Sequence, residues 1–175
     1  MNDTFDLRSG ETHIEVHKFR GGTILFATLL ALFVQAFLPV YLPKVALVDL
    51  PLLITIYFGL SRRNPSTGLL LGGAVGCLQD LLGKTPLGFY GIAKTLVGYA
   101  ASSIGGKLDT EHPAARFALT FIFFALHQGI TVLVQRLLLA HRSEPWFNMH
   151  LAIAALVNSI VGIFVYFLLD RLRKS

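Results

Sequence analysis

Two ionisable side chains, Asp80 and Lys94, lie in stretches of sequence that are otherwise apolar, with the turn Gly83-Lys84-Thr85-Pro86 between them. A charged group at membrane depth costs several kcal/mol unless it is paired or reaches water. At 1.5 Å per helical residue, Asp80 would lie about 6 Å and Lys94 about 10 Å from the turn, within reach of a lysine side chain. Two interpretations stay open. In the first, the site is structural: Asp80 and Lys94 form an ion pair, or Lys94 extends to the headgroups. In the second, the site is functional: the two residues contact a partner, lipid or ligand.

The composition places the chain among integral membrane proteins. Of its 175 residues, 54% are hydrophobic and only 14% are charged, and the mean hydropathy is +0.63. A soluble domain carries about 25% charged residues, so that class is excluded. Because crossing the hydrocarbon layer takes roughly 20 apolar residues, the apolar runs can be counted as candidate spans.

Six candidate spans follow one another, and their connections are too short to hold a soluble domain. The fold class predicted is therefore an all-α membrane protein, a bundle of six transmembrane helices. The domains predicted are a tail at 1–20, a transmembrane domain at 21–170 and a basic tail at 171–175. The expected spans are Gly21 to Leu42, Val45 to Leu60, Ser66 to Leu82, Leu87 to Gly106, Ala114 to Ala140 and Phe147 to Asp170. The second and third are short, and Asp49 with Pro51 favours an irregular start to the second.

Basic residues near the span ends predict the orientation, because cytoplasmic loops carry an excess of Lys and Arg. One side carries Arg8, Lys18, Arg20, Arg62, Arg63, Lys107, Arg116, Arg171, Arg173 and Lys174. The other carries Lys44, Lys84 and Arg142, with Arg136 near its edge. Both termini are therefore expected in the cytoplasm. The net charge of +5 reflects this asymmetry and does not indicate nucleic-acid binding.

Small residues recur every four positions on the third and fourth spans. Such stripes let helix backbones approach closely in a membrane. Either they pack within the monomer, which we favour, or they bind a partner. The helix-packing residues predicted are Gly68, Gly72 and Gly76 on the third span and Gly98, Ser102 and Gly106 on the fourth.

A second polar set lies on the fifth span, where Gln128, Thr131 and Gln135 follow helical spacing beside His127. Gln35 and Asn158 are available on the first and sixth spans. Hydrogen bonds between helices explain this set more simply than a ligand pocket does. Nothing in the sequence predicts a metal, a cofactor or a catalytic group; His13 and His17 lack the further ligands that zinc needs.

The segment from Asp49 to Tyr99 resembles the rod shape-determining protein MreD family. A Pro-led apolar span, a basic turn, a Gly-rich span with an acidic end and a Pro-Leu-Gly turn follow in that order. The matching residues are Pro51, Arg62, Arg63, Gly76, Asp80, Pro86, Leu87 and Gly88. The resemblance implies a bacterial inner (cytoplasmic) membrane protein of the cell-wall elongation machinery. It also implies a fold similar to the substrate-binding subunits of energy-coupling-factor transporters.

The first hypothesis is thus a non-enzymatic membrane scaffold involved in cell shape. The partners that the resemblance implies are an MreC-like periplasmic scaffold protein, MreB filaments and the peptidoglycan polymerase and transpeptidase pair. The hypothetical partner- or ligand-binding residues are Asp80, Gln79, Lys94, Asp49, Pro86 and Gly88. The alternative is a substrate-binding subunit of a vitamin importer, in which Ala27 and Ala31 would form a four-residue spacing that contacts the energising partner.

Overall fold

The computed structural model describes residues 21–41, 47–108, 112–138 and 149–172, with the side chain of Pro39 excepted. Within these ranges the regular elements are six α-helices and there is no strand, so the all-helical prediction is confirmed. The predicted tail at 1–20, His13 and His17, and the last residues of the basic tail lie outside the described residues. The helices are α1 (Gly21–Tyr41), α2 (Leu50–Arg62), α3 (Pro65–Gly83), α4 (Phe89–Gly105), α5 (Pro113–Leu138) and α6 (Met149–Arg171).

Three helices, α1, α5 and α6, are long and apolar enough to cross a membrane by themselves. Their large apolar side chains, such as Phe26 and Phe164, lie exposed on the outside of the bundle. In a membrane that surface faces lipid, where apolar exposure carries no penalty. The outer helices therefore form the lipid-facing part of the protein.

Helix α2 is the centre of the bundle. It has 13 residues, or about 20 Å at 1.5 Å per residue, which is too short to cross a ~30 Å hydrocarbon layer. Every residue from Pro51 to Leu60 is buried, and α2 packs against each of the other five helices. An apolar helix of this length is typical of a buried core element, and here the surrounding helices take the place of lipid.

The start of α2 differs from the expected span, which began at Val45. Asp49 is the N-cap residue, and its Oδ1 accepts a hydrogen bond of 2.9 Å from the backbone N–H of Leu52. Pro51 occupies the first turn, where its missing N–H is not needed. These two residues set the start of the helix at Leu50, and Val48 and Asp49 lie outside regular structure.

Helices α3 and α4 form a close hairpin. A Cβ atom on Gly72 would overlap the backbone carbonyl of Lys94, and one on Gly76 would overlap the carbonyl of Tyr90. A Cβ on Gly98 would meet the carbonyl of Gly68 in the same way. The α3 stripe therefore packs within the monomer, at a distance that only glycine permits.

The α4 stripe differs by one residue from the prediction. Gly106 is exposed and follows the end of α4, and a Cβ there would meet only ordinary contacts. Gly105 packs instead, because its Cβ would overlap the carbonyl of Leu60 on α2. Ser102 is buried, and its Oγ donates to the Gly98 carbonyl at 2.7 Å. The prediction for Gly106 is wrong because α2 lies on the face of α4 that Gly105 occupies.

We expect Gly72→Ala to destabilise the protein by about 1–3 kcal/mol, the usual cost of forcing atoms into a packed core. Gly129→Ala is the matched control, since a Cβ there meets nothing within 4 Å, and it should be neutral or stabilising by up to about 1 kcal/mol through helix propensity. Circular dichroism during denaturant unfolding in mild detergent measures both. Equal stability of the two variants would contradict the close α3–α4 contact.

Candidate functional site

Most of the polar residues buried in the bundle lie towards one end, which we call the polar end: α2, α4 and α6 begin there, and α1, α3 and α5 end there. Among the described residues, five buried polar ones are inaccessible to solvent, and three of them carry a charge or an amide, namely Asp80, Lys94 and Asn158. A buried charge or amide needs hydrogen-bond partners to be tolerated, so the contacts of each one show its role.

Asp80, at the last turn of α3, binds the start of α4. Its Oδ1 accepts hydrogen bonds from Thr85 Oγ1 at 2.8 Å and from the Tyr90 N–H at 3.0 Å. Its Oδ2 accepts from the N–H groups of Gly88 at 2.9 Å and Gly91 at 3.2 Å. A negative group at a helix N-terminus is stabilised by the orphan N–H groups and by the helix dipole.

The N-terminus of α4 is capped by Asp80 because its own N-cap residue, Gly88, has no side chain. Gly88 has a φ of 95°. Glycine adopts this left-handed conformation without the penalty that a Cβ brings. Asp80 supplies the missing acceptor, and the turn at 84–88 is thereby fixed to the end of α3.

Lys94 pairs with Asp49. Its Nζ lies 2.6 Å from Asp49 Oδ2, the lysine side chain is inaccessible, and the Asp49 side chain is 16% exposed. The ion pair between Asp80 and Lys94, one of the interpretations that the sequence left open, is therefore not formed. Asp80 is occupied by the turn that follows it, whereas the N-terminus of the short α2 brings Asp49 to α4 at the level of Lys94.

Two amides complete the polar end around the start of α2. The Asp49 N–H donates to Asn158 Oδ1 at 2.9 Å, and Asn158 Nδ2 donates to the Leu47 carbonyl at 2.7 Å. The Leu50 N–H donates to Gln35 Oε1 at 3.1 Å. Helices α1, α4 and α6 thus each provide a side chain that binds the N-terminus of α2.

His127 is buried at 2% exposure, and its ring stacks on Tyr90 with 6.0 Å between ring centroids. Neither ring nitrogen has a hydrogen-bond partner among the described residues. The Tyr90 ring also lies 5.8 Å from Lys94 Nζ. Tyr90 therefore links the α3–α4 turn, the ion pair and α5.

The other candidates lie nearer the surface. Pro86 is exposed on the turn, and Gln79 on α3 has a buried Oε1 with no partner in the described part of the chain.

Gln128, Thr131 and Gln135 line an open cleft of about 430 Å³ together with Thr85 and Pro86. Thr131 bonds the His127 carbonyl within α5 at 2.6 Å. The described residues hold no group of three His, Cys, Asp or Glu side chains suited to a metal.

A second network, which sequence reasoning did not find, lies at the opposite end of the bundle. Arg116 Nη1 is 2.5 Å from Asp170 Oδ2, and Tyr57 donates to Asp170 Oδ1 at 2.7 Å. Opposite charges at the first turn of α5 and the last turn of α6 are the signal that predicts it, since antiparallel neighbours bring such ends together. The bundle is thus joined by ion pairs at both ends.

We expect Lys94→Met to destabilise the protein by up to about 3–5 kcal/mol, because it leaves the partly buried carboxylate of Asp49 without its ion-pair partner. Adding Asp49→Asn, which keeps a capping oxygen, should recover much of that loss, whereas adding Asp80→Asn should recover none. Denaturant unfolding of the single and double variants in detergent measures the coupling. Rescue by Asp80→Asn instead of Asp49→Asn would contradict the observed pairing.

Comparison with known proteins identifies the family. The family model described as rod shape-determining protein MreD matches residues 17–173. No single curated protein and no solved structure gives a significant match. The match covers nearly the whole chain, including all six helices and both networks, and so extends well beyond the segment whose motifs resemble the family. The chain therefore belongs to the rod shape-determining protein MreD family.

Proposed function

We propose that this membrane protein is a non-enzymatic scaffold of the bacterial cell-wall elongation machinery and that it regulates cell shape by binding an MreC-like partner. The family supports a role in rod shape. The observation that carries the finer proposal is the turn at 84–88, which the Asp80 carboxylate fixes by accepting hydrogen bonds from the Gly88 N–H and the Thr85 hydroxyl. A rigid surface binds a partner without the cost of ordering it first.

The exposed part of this turn carries two adjacent apolar side chains. Leu87 is 70% exposed and Pro86 before it is also exposed, while Lys84 is exposed at the start of the turn. An apolar side chain held outward by a buried carboxylate has no packing role in the monomer, so it suits an anchor for a partner. In this proposal Asp80 positions the surface, and Pro86 and Leu87 make the contact. Asp49 and Lys94 hold the bundle together.

The proposed location is the bacterial inner membrane, with both termini in the cytoplasm and the short α2 buried among the other helices. The turn at 84–88 then faces the periplasm, on the same side as the bulk of an MreC-like protein. The basic turn containing Arg62 and Arg63 faces anionic lipid on the cytoplasmic side. The peptidoglycan polymerase and transpeptidase pair and MreB filaments are further proposed partners of the assembled complex.

The vitamin-importer alternative has less support. Ala27 and Ala31, the spacing that would contact an energising partner, are buried at 8% and 7% exposure within the monomer core. A surface already packed against α2 is not free for another protein. The expected likeness of the six-helix fold to those importer subunits stays a prediction.

We expect Leu87→Ser to reduce co-purification of the MreC-like partner at least about fivefold, since truncating an interface anchor costs more than about 1 kcal/mol. The stability of the protein should not change. The control is Leu108→Ser, which alters an exposed leucine, at 49%, beyond the opposite end of α4. Tagged protein is purified in mild detergent and the partner is quantified.

The variant Asp80→Asn distinguishes a residue that positions the turn from a residue that contacts the partner. It removes the charge that binds the α4 N-terminus, so it should lower both stability and partner recovery, whereas Leu87→Ser lowers recovery alone. If Leu87→Ser and Leu108→Ser bind the partner equally well, the turn is not the contact surface.

The orientation is tested with reporter fusions at two turns. A fusion after Arg63 should be active as a cytoplasmic reporter, and one after Lys84 as an exported reporter, because the basic residues favour the Arg63 side. A cytoplasmic signal at Lys84 would place the turn on the wrong side for a periplasmic partner.

A further inference from the structure

An apolar groove runs between α1 and α3 on the outside of the bundle, with a volume of about 650 Å³. Along α1 its wall extends from Phe26 to Phe37, which is about 16 Å of helix at 1.5 Å per residue. This length matches about half of a ~30 Å hydrocarbon layer. The groove therefore has about the length of one lipid chain, and its α1 wall ends about 6 Å before Tyr41, the last residue of α1 at the polar end.

A small polar pocket of about 190 Å³ adjoins the groove at the polar end. Leu32, Ala36 and Leu82 line both spaces. The polar groups of the pocket belong to Gln35, Gln79, Thr85 and Tyr90. Among the described residues that line the groove or the pocket, none is charged.

Gln79 lacks a partner in this pocket. Its Oε1 is buried and accepts no hydrogen bond from any described residue, whereas Gln35 Oε1 is already bound to the Leu50 N–H. A buried acceptor left unsatisfied carries the full cost of its lost hydration. A donor from a bound molecule would remove that cost, so Gln79 indicates a ligand with a hydroxyl or amide N–H.

The walls of the groove favour a hydrocarbon chain over a transmembrane helix of a partner. Helices associate in membranes through small residues that let backbones approach. Here the walls are leucine and phenylalanine side chains, with Ala36 as the one small residue. The glycines of α3 are already used against α4. Flexible, bulky walls suit an acyl chain, which packs against side chains and needs no backbone contact.

We propose that the groove and pocket bind one membrane lipid from the leaflet nearer the polar end. The hydrocarbon chain lies between α1 and α3, and an uncharged head donates a hydroxyl or amide hydrogen bond to Gln79 Oε1. This site is separate from the exposed turn at 84–88, and it does not depend on the partner proposed above.

Tryptophan quenching by dibrominated lipids in phosphatidylcholine nanodiscs tests the site. The single native tryptophan is removed with Trp146→Phe, and a probe is introduced in the groove with Phe33→Trp. The control probe, Leu156→Trp, replaces a 49% exposed leucine on α6 at a similar distance from the polar end. The quenchers carry the same brominated chain on monoacylglycerol, which has hydroxyl donors, or on phosphatidylcholine, which has none.

We expect monoacylglycerol to quench the groove probe at about fivefold lower mole fraction than phosphatidylcholine does, as one hydrogen bond of about 1 kcal/mol provides. The two lipids should quench the control probe alike. Gln79→Met should abolish the difference at the groove probe, and Leu78→Met, on the groove wall, should leave it intact.

Equal quenching by the two lipids at the groove probe would overturn the site, and this comparison needs no variant of Gln79. A preference that persists in Gln79→Met would overturn the assignment of the head to that residue. Brominated phosphatidylglycerol, which adds a negative charge to the hydroxyls, should quench no better than monoacylglycerol. Tighter binding of the anionic lipid would overturn the uncharged head.

Discussion

The N-terminus of α2 is the point on which the bundle depends. The helix is short, and its first residue Leu50 and its cap residue Asp49 are partly buried among the other helices. An unsatisfied helix end of this kind is costly. Asp49 caps the helix from its own chain, and Lys94, Gln35 and Asn158 bind the same region from three other helices. One local requirement thus fixes the relative positions of four helices.

The α3–α4 hairpin solves a related problem in another way. Its glycines bring the two backbones into contact, and that closeness places the Asp80 carboxylate against the N–H groups of Tyr90 and Gly91. The second feature depends on the first, because a wider hairpin would separate the Asp80 carboxylate from the N–H groups of Tyr90 and Gly91. The result is a stable unit with a defined turn, whose outer face is free to contact a partner in the proposed function.

The sequence predicts the helices well and the contacts between them less well. Periodic glycines and continuous apolar runs are local signals, so the six helices and the α3 stripe follow from them directly. The partner of Lys94 does not, because Asp49 is 45 residues away and its position depends on how deep α2 sits in the bundle. In the sequence Asp80 is a possible partner for Lys94, but both of its carboxylate oxygens accept hydrogen bonds from the turn that follows it. The packing prediction for Gly106 is wrong for a similar reason. Which face of α4 meets α2 depends on tertiary packing, and so does the partner of Lys94.

The contribution of Asn158 has a consequence for biosynthesis. This amide belongs to α6, which emerges after the other five described helices during translation, yet it binds the Asp49 N–H and the Leu47 carbonyl at the start of α2. The α3–α4 hairpin satisfies its own carboxylate and can close early, whereas the start of α2 keeps unmet donors and acceptors until α6 enters the membrane. A chain truncated before α6 would thus expose an incomplete polar surface within the bilayer, the kind of defect that membrane quality-control proteases can recognise.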